Sequence, residues 1–255
     1  MQRKVKILGI CGSPRKGGNT EYALKQALEA AMESGNVETE FLGLAGKNIA
    51  PCTGCSVCMI KLDPERFCFG CKEDDLQPVI KKCIEADAII IGSPVYLWGI
   101  PSNLKAFIDR AGLTISANGM LLRNKVGAAI VTAGARNVGT EPTVSAIHSI
   151  FLLLDMVPIG IGPERPVNLN AITGGILVEG YPDYKPTDIK EGYVSVAEDK
   201  YGLLSVRGVG KRVADLTKVI VNGLAATPEK ELNWPPSKVI PPAYSSTETT
   251  LNKKE

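Results

Sequence analysis

Short, unbroken apolar runs alternate with stretches of helical period through the first two-thirds of the chain. Residues 5–11 and 88–91 are two such runs, each stopped by Gly-Ser-Pro, and 126–131 is a third, stopped by Thr132-Ala133-Gly134. Continuous apolar runs bounded by turn residues predict strands buried on both faces. Between them, Ala23, Leu24, Ala27, Leu28 and Ala31 recur at helical spacing, as do Leu76, Val79, Ile80, Cys83 and Ile84. Further helices are predicted around 104–110 and 144–154, an alternating edge strand at 37–42 and a last strand at 157–161. Strands separated by helices in this way predict a parallel sheet covered on both faces, an α/β fold.

From about residue 162 to 206 glycines, prolines, tyrosines and charges crowd together without a period, which predicts an irregular insertion. Helical spacing returns at 207–222 through Val209, Val213, Leu216 and Ile220. Beyond about 225 the chain turns Pro-, Ser-, Thr- and Lys-rich, so residues 1–223 are expected to form the domain and 224–255 a tail or arm. The 255 residues carry a net charge of +2 with both signs interleaved, which argues against nucleic-acid and membrane-surface partners. No apolar run reaches the roughly 18 residues a spanning helix needs. The first residues run straight into a strand with no cleavage-site pattern, so a cytoplasmic protein is expected. The single histidine, His148, sits between Ile147 and Ile150 and reads as structural.

Cysteine usage changes the picture. Five of the seven cysteines fall in one stretch, Cys52-Thr-Gly-Cys55-Ser-Val-Cys58 and then Cys68-Phe-Gly-Cys71. Thiolates at two-residue gaps turn toward one point in a tight loop, which suits an iron–sulfur cluster or zinc, and a reducing compartment favours metal over disulfides. Taken alone, Cys55, Cys58, Cys68 and Cys71 also have the spacing of a four-thiolate zinc knuckle. Cys11 and Cys83 lie on apolar faces and read as core residues.

Three loops follow the predicted strands at their carboxyl ends, where open α/β sheets bind ligands. The first, Gly12-Ser13-Pro14-Arg15-Lys16-Gly17-Gly18-Asn19-Thr20, precedes a helix and offers Ser13, Arg15, Asn19 and Thr20 to a phosphate. It is neither a Walker A loop nor a G-x-G-x-x-G fingerprint, which leaves a phosphate monoester. The second, with Pro94, Val95, Tyr96, Leu97 and Trp98, places two aromatics as a wall for a planar ring. The third, with Gly134, Arg136 and Gly139, offers backbone amides and a guanidinium to the polar edge of that ring.

The first loop, together with Gly92-Ser93-Pro94-Val95-Tyr96, Leu104-Lys105-Ala106-Phe107-Ile108-Asp109-Arg110 and Lys125-Val126-Gly127-Ala128-Ala129, resembles the NADPH-dependent FMN reductase superfamily. The cysteine segment with Asp74-Asp75-Leu76 after it resembles the iron–sulfur flavoprotein branch of that superfamily. The resemblance implies a flavodoxin-like three-layer fold of five parallel strands in the order 2-1-3-4-5, with the cysteines in a loop (residues 50–73) between the second strand and its following helix. It further implies FMN, phosphate in the first loop and ring between the second and third, and a 4Fe–4S cluster nearby at a subunit interface of a homodimer or homotetramer. Cys52, Cys55 and Cys58 match the branch's ligand pattern. The longer gap after them leaves Cys68 and Cys71; the resemblance implies Cys71 as the fourth ligand, because it stands nearer the Asp74-Asp75 marker, with Cys68 as the other candidate. The activity so implied is electron transfer coupling one-electron and two-electron chemistry, with ferredoxin or a similar donor and a small-molecule acceptor. The alternative is an NAD(P)H-dependent FMN or quinone reductase whose cysteines, or zinc, are structural.

Overall fold

The computed structural model describes residues 3–61, 63, 66–70, 74–134, 138–160, 175–178 and 196–232. Its elements run β1 (Val5–Cys11), α1 (Asn19–Glu33), β2 (Val37–Gly43), α2 (Val57–Ile60), α3 (Leu76–Glu85), β3 (Ala88–Pro94), α4 (Ser102–Ala117), β4 (Val126–Ala133), α5 (Thr140–Leu153), β5 (Val157–Ile159), β6 (Gly175–Val178) and α6 (Lys200–Ala226). The strands pair in parallel in the order β2-β1-β3-β4-β5, as expected of a flavodoxin-like fold. β6 extends the sheet beyond that order. It pairs in parallel with the carboxyl half of β4, past the point where β5 ends.

Residues along each inner strand face the two layers alternately, because successive side chains leave a strand on opposite sides. Leu8, Ile10, Ile89, Ile91, Ala129 and Val131 pack with residues of α3, α4 and α5, whereas Ile7, Ile90, Ala128 and Ile130 pack with α1 and α6. Cys11 and Cys83 are buried in these layers, and burial pushes the Cys83 thiol up to about 12, so both behave as small apolar groups.

Three of the predicted helices are longer than their apolar spacing suggested. α4 spans Ser102–Ala117 rather than 104–110, α5 begins at Thr140 rather than 144, and α6 spans Lys200–Ala226 rather than 207–222. The insertion expected at 162–206 therefore contains β6 and the first turns of α6; 161–174 and 179–195 lie outside the described residues, as does the tail from 233 onward. Glycine content concealed the start of α6. Gly202, Gly208 and Gly210 are all buried, and a Cβ on Gly210 would run into the Ala27 carbonyl of α1. Gly210 thus permits close helix approach instead of ending the helix. No helix among the described residues is long and apolar enough to cross a membrane.

At the opposite end of the sheet from the loops, Lys125 donates from Nζ to the carbonyls of Cys83 (3.3 Å), Ala86 (2.6 Å) and Ile84. It thereby closes the carboxyl end of α3. Burial outweighs the nearby Asp87 and Cys83 and pulls its pKa down to about 8, against ~10.4 in an unfolded chain. Between those values the unfolded chain holds a proton that the folded protein has released, so stability rises with pH across that window. Relative to Lys125→Met, in which other titrations cancel, the native protein should gain up to ~3 kcal/mol of unfolding free energy on going from pH 7.5 to 10.5. Urea unfolding at the two pH values measures it, and a difference that stays flat would show that the three carbonyls hold the ammonium at its ordinary pKa.

Candidate functional site

The cysteine segment leaves β2 and lies across the side of α4. Cys52, Cys55, Cys58 and Cys68 line one cleft of about 90 Å³, together with Thr53, Arg110, Leu113 and Thr114. Two left-handed residues shape the loop: Gly54 (φ +69°) brings its N–H to within 3.5 Å of Cys52 Sγ, and Ser56 (φ +55°) opens the one-turn helix α2 that carries Cys58. Farther along, Phe67 is buried in the layer beneath, with its N–H on Gln77 Oε1 at 3.0 Å, and so anchors Cys68. The Cβ position of Gly70 lies 3.2 Å from Cys55 Sγ, which puts the second half of the segment against the first.

Arg110 ties this loop down. Its side chain, 2% exposed, pairs with Asp74, donates to the Ala50 carbonyl at 3.1 Å, and donates from Nε and Nη2 to Cys68 Sγ at 3.4 and 3.3 Å. Burial alone would weaken the guanidinium's hold on its proton, but Asp74 and Cys68 more than offset that and raise its pKa. The thiols themselves sit in unlike surroundings. The Val57 N–H, followed by Thr53 and the Arg110 charge, draws the exposed Cys55 down, whereas burial and the proximity of Cys68 push Cys58 up.

Among the described residues no three Cys, His, Asp or Glu side chains are drawn to a single point at metal-binding distance. The donor set nonetheless fits a thiolate-ligated group: four sulfurs share one cleft, and its wall carries a guanidinium that donates to sulfur and the hydroxyl of Thr114. Cys71 lies outside the described residues.

The three loops meet at the carboxyl ends of β1, β3 and β4. Ser13 and Thr20 are buried, and Ser13 Oγ accepts from the Arg15 N–H at 3.1 Å. Thr20 Oγ1 and Thr132 Oγ1 share a hydrogen bond at 2.7 Å, joining the first loop to the third strand end. Asn19 Oδ1 accepts from the Val196 N–H at 3.3 Å, so it is already engaged by the segment before α6. The N-cap of α1 is Gly18, which has no side chain to satisfy the first-turn amides. The Gly17 N–H takes the Glu21 carboxylate at 2.8 Å. This loop thus already holds an anion on a backbone amide, and with Ser13 and Thr20 it fits the phosphate of FMN.

In the second loop Val95 donates to the Thr132 carbonyl at 2.9 Å, and Tyr96 and Gly99 exchange both backbone hydrogen bonds. The turn between them is Leu97-Trp98, both at positive φ (43° and 69°), a conformation that side chains resist and that a protein retains where surrounding structure enforces it. The enforcement comes from the third loop. Gly139 (φ +99°) lies so close that a Cβ there would stand 2.7 Å from Trp98 Cα. Leu97 and Trp98 are nevertheless exposed, at 103% and 63%, so the aromatic wall is the tip of a hairpin and not a buried face. Gly134 is exposed beside it, Pro94 ends β3, and Arg136 lies outside the described residues.

Of the expected site residues, the structure gathers Ser13, Asn19, Thr20, Val95, Trp98 and Gly139 at one end of the sheet and four of the five segment cysteines in the cleft. Arg110 and Thr114 were missed as site residues. Their signal was present: two polar residues four apart on the otherwise apolar inner face of α4, among Phe107, Ala111 and Ile115.

This fold and these loops define a flavin-dependent oxidoreductase. The model of the NADPH-dependent FMN reductase family matches residues 5–162, and the chain belongs to that family. It is 40% identical over 218 residues to an iron-sulfur flavoprotein of Methanocaldococcus jannaschii (85% of this chain, 99% of the relative). It is 34% identical over 216 residues to an iron-sulfur flavoprotein of Methanosarcina thermophila (85% and 97%). Among solved structures, RosB with bound 8-demethyl-8-formylriboflavin-5'-phosphate superposes with a TM-score of 0.60 at 14% identity (98% of this chain, 96% of RosB), a likeness of fold.

Proposed function

We propose that the protein is an electron-transfer flavoprotein in which a 4Fe–4S cluster, held by Cys52, Cys55, Cys58 and Cys68, exchanges electrons with FMN held at the carboxyl ends of β1, β3 and β4. The observation that carries this reading is the gathering of four thiols in one cleft against α4, the helix that begins directly after the second flavin loop. Arg110 stands about 12 Å of helix rise from Ser102, so one rigid element spans both sites. The cofactors supply the redox chemistry: the cluster takes single electrons and the flavin collects pairs. The chain's own residues bind and orient. Ser13, Thr20 and the amides opening α1 hold the phosphate, Val95, Trp98 and Gly139 shape the ring site, and Arg110 fixes the cysteine loop.

Two features support Cys68 as the fourth ligand: its sulfur lines the cleft with the other three, and it already accepts two hydrogen bonds from a buried cation. The physiological donor in this reading is ferredoxin or a similar one-electron carrier, and the acceptor a small molecule. A homodimer or homotetramer belongs to it as well, since Met59, Ile60, Leu97, Trp98 and Leu113 present apolar surface around the cleft and the second loop.

Anaerobically purified protein should contain FMN, about four iron and four sulfide per chain, and a broad absorbance beyond the flavin bands. In stopped-flow mixing a reduced ferredoxin should bleach the flavin faster than NADH or NADPH. Rapid bleaching by NAD(P)H alone, in protein that carries zinc or no metal, would overturn the proposal in favour of a nicotinamide-dependent reductase with structural cysteines.

A further inference from the structure

Thr114 is a buried threonine whose side chain breaks the habit of its fellows. Thr143 and Thr217, also buried within helices, each donate to the carbonyl four residues back at 2.6 Å, and Thr20 and Thr132 bond one another. Thr114 is 0% exposed, lies in the last turn of α4, and has no hydrogen-bond partner for its Oγ1 among the described residues. An unpartnered buried hydroxyl is costly, and the carbonyl of Arg110 stands in the usual back-bonding position one turn away. Thr114 instead lines the cysteine cleft, whose wall also carries Cys58.

Arg110 is on the same face, four residues earlier, and it too addresses sulfur: two of its nitrogens reach Cys68 Sγ. A guanidinium and a hydroxyl therefore line one wall of the cleft, and the guanidinium donates to one of the thiols there. Neither residue is a ligand type for iron or zinc.

We infer that this face of α4 sets the reduction potential of the group the cysteines hold, with Arg110 and Thr114 as positioning residues that donate hydrogen bonds to its sulfurs. The inference rests on the reading of the cleft as an iron–sulfur site. Reduction adds an electron to an anionic assembly of thiolates and sulfides. Donors and a positive charge at the sulfurs stabilise the reduced state more than the oxidised one, and so raise the potential. Asp74, paired with Arg110, tempers the effect of its charge.

The test uses full-length protein purified anaerobically, with iron and sulfide quantified and the cluster potential read by an EPR-monitored redox titration, the flavin potential serving as internal reference. Thr114→Val keeps the shape and removes the hydroxyl. It should lower the cluster potential by the equivalent of about tenfold in the one-electron reduction constant, roughly 59 mV, at unchanged iron content. Thr114→Ser should restore the wild-type value. Arg110→Gln should shift the potential further down, and Arg110→Lys should recover part of that shift because it keeps charge but loses the fork. Should valine crowd the cleft and reduce iron content, Thr114→Ala makes the same comparison without added bulk. A wild-type potential in a fully iron-loaded Thr114→Val or Thr114→Ala protein overturns the inference. Wild-type protein devoid of iron overturns the reading of the cleft instead.

Discussion

Replacing Cys68 with serine is expected to strip the protein of most of its iron while leaving the fold and the flavin in place. Cys68 sits where the loop is most firmly held: Phe67 before it is buried, and Arg110 clamps its sulfur. Even loss of a residue that merely orients a metal ligand costs roughly 10–100-fold in affinity, so loss of the ligand itself should exceed that. Serine keeps the volume and an acceptor for Arg110, and the buried ion pair with Asp74 is left intact, so folding should survive. Iron and sulfide analysis beside flavin quantitation reads the result. Cys71→Ser is the necessary companion. With Cys68 as the fourth ligand it retains its iron; should it lose iron while Cys68→Ser keeps it, the fourth ligand is Cys71, as its place near Asp74-Asp75 suggests.

Gly210→Val should be the most destabilising single change outside the site. α1 and α6 lie in contact along their lengths, and the Gly210 Cα faces the backbone of Ala27 with no room for a methyl group. A flexible neighbour moves aside cheaply, but a helix backbone does not. The two helices must separate, and the apolar contacts of Ala23, Ala27, Val206 and Val213 loosen with them. Overpacking of this kind costs about 3 kcal/mol or more, a fall of roughly 6–12 °C in melting temperature for a domain of this size. Gly223→Ala, on the same helix but exposed and with nothing within 4 Å of the new methyl, should instead be neutral or slightly stabilising through helix propensity. Differential scanning calorimetry of the pair separates the contact from the propensity. Equal melting temperatures would show that the close approach is not what those glycines serve.

The contrast explains which elements could be read in advance. Apolar runs at 5–11 (interrupted only by the exposed Lys6), 88–91 and 126–131 announced the inner strands because a strand covered on both faces must be apolar along its buried length. The start of α6 was illegible for the opposite reason. Gly210 is required by the close approach of Ala27 on a helix far away in sequence, and no local pattern distinguishes a packing glycine from a breaking one. β6 is a similar case: four residues inside a stretch without period, made a strand by the free edge that β5 leaves on β4.

The chemistry divides along the same line. Residue types at close spacing determined the phosphate loop and the thiol-rich segment, since a tight turn brings residues two or three apart together whatever the rest of the chain does. Tertiary structure alone decided that Thr20 meets Thr132, that Gly139 props a strained Leu97-Trp98 turn, and that Arg110 and Thr114 line the cleft beside Cys58 and Cys68. Those contacts join residues tens to more than a hundred positions apart. They exist because a parallel sheet returns each strand to the same end, where loops distant in sequence become neighbours.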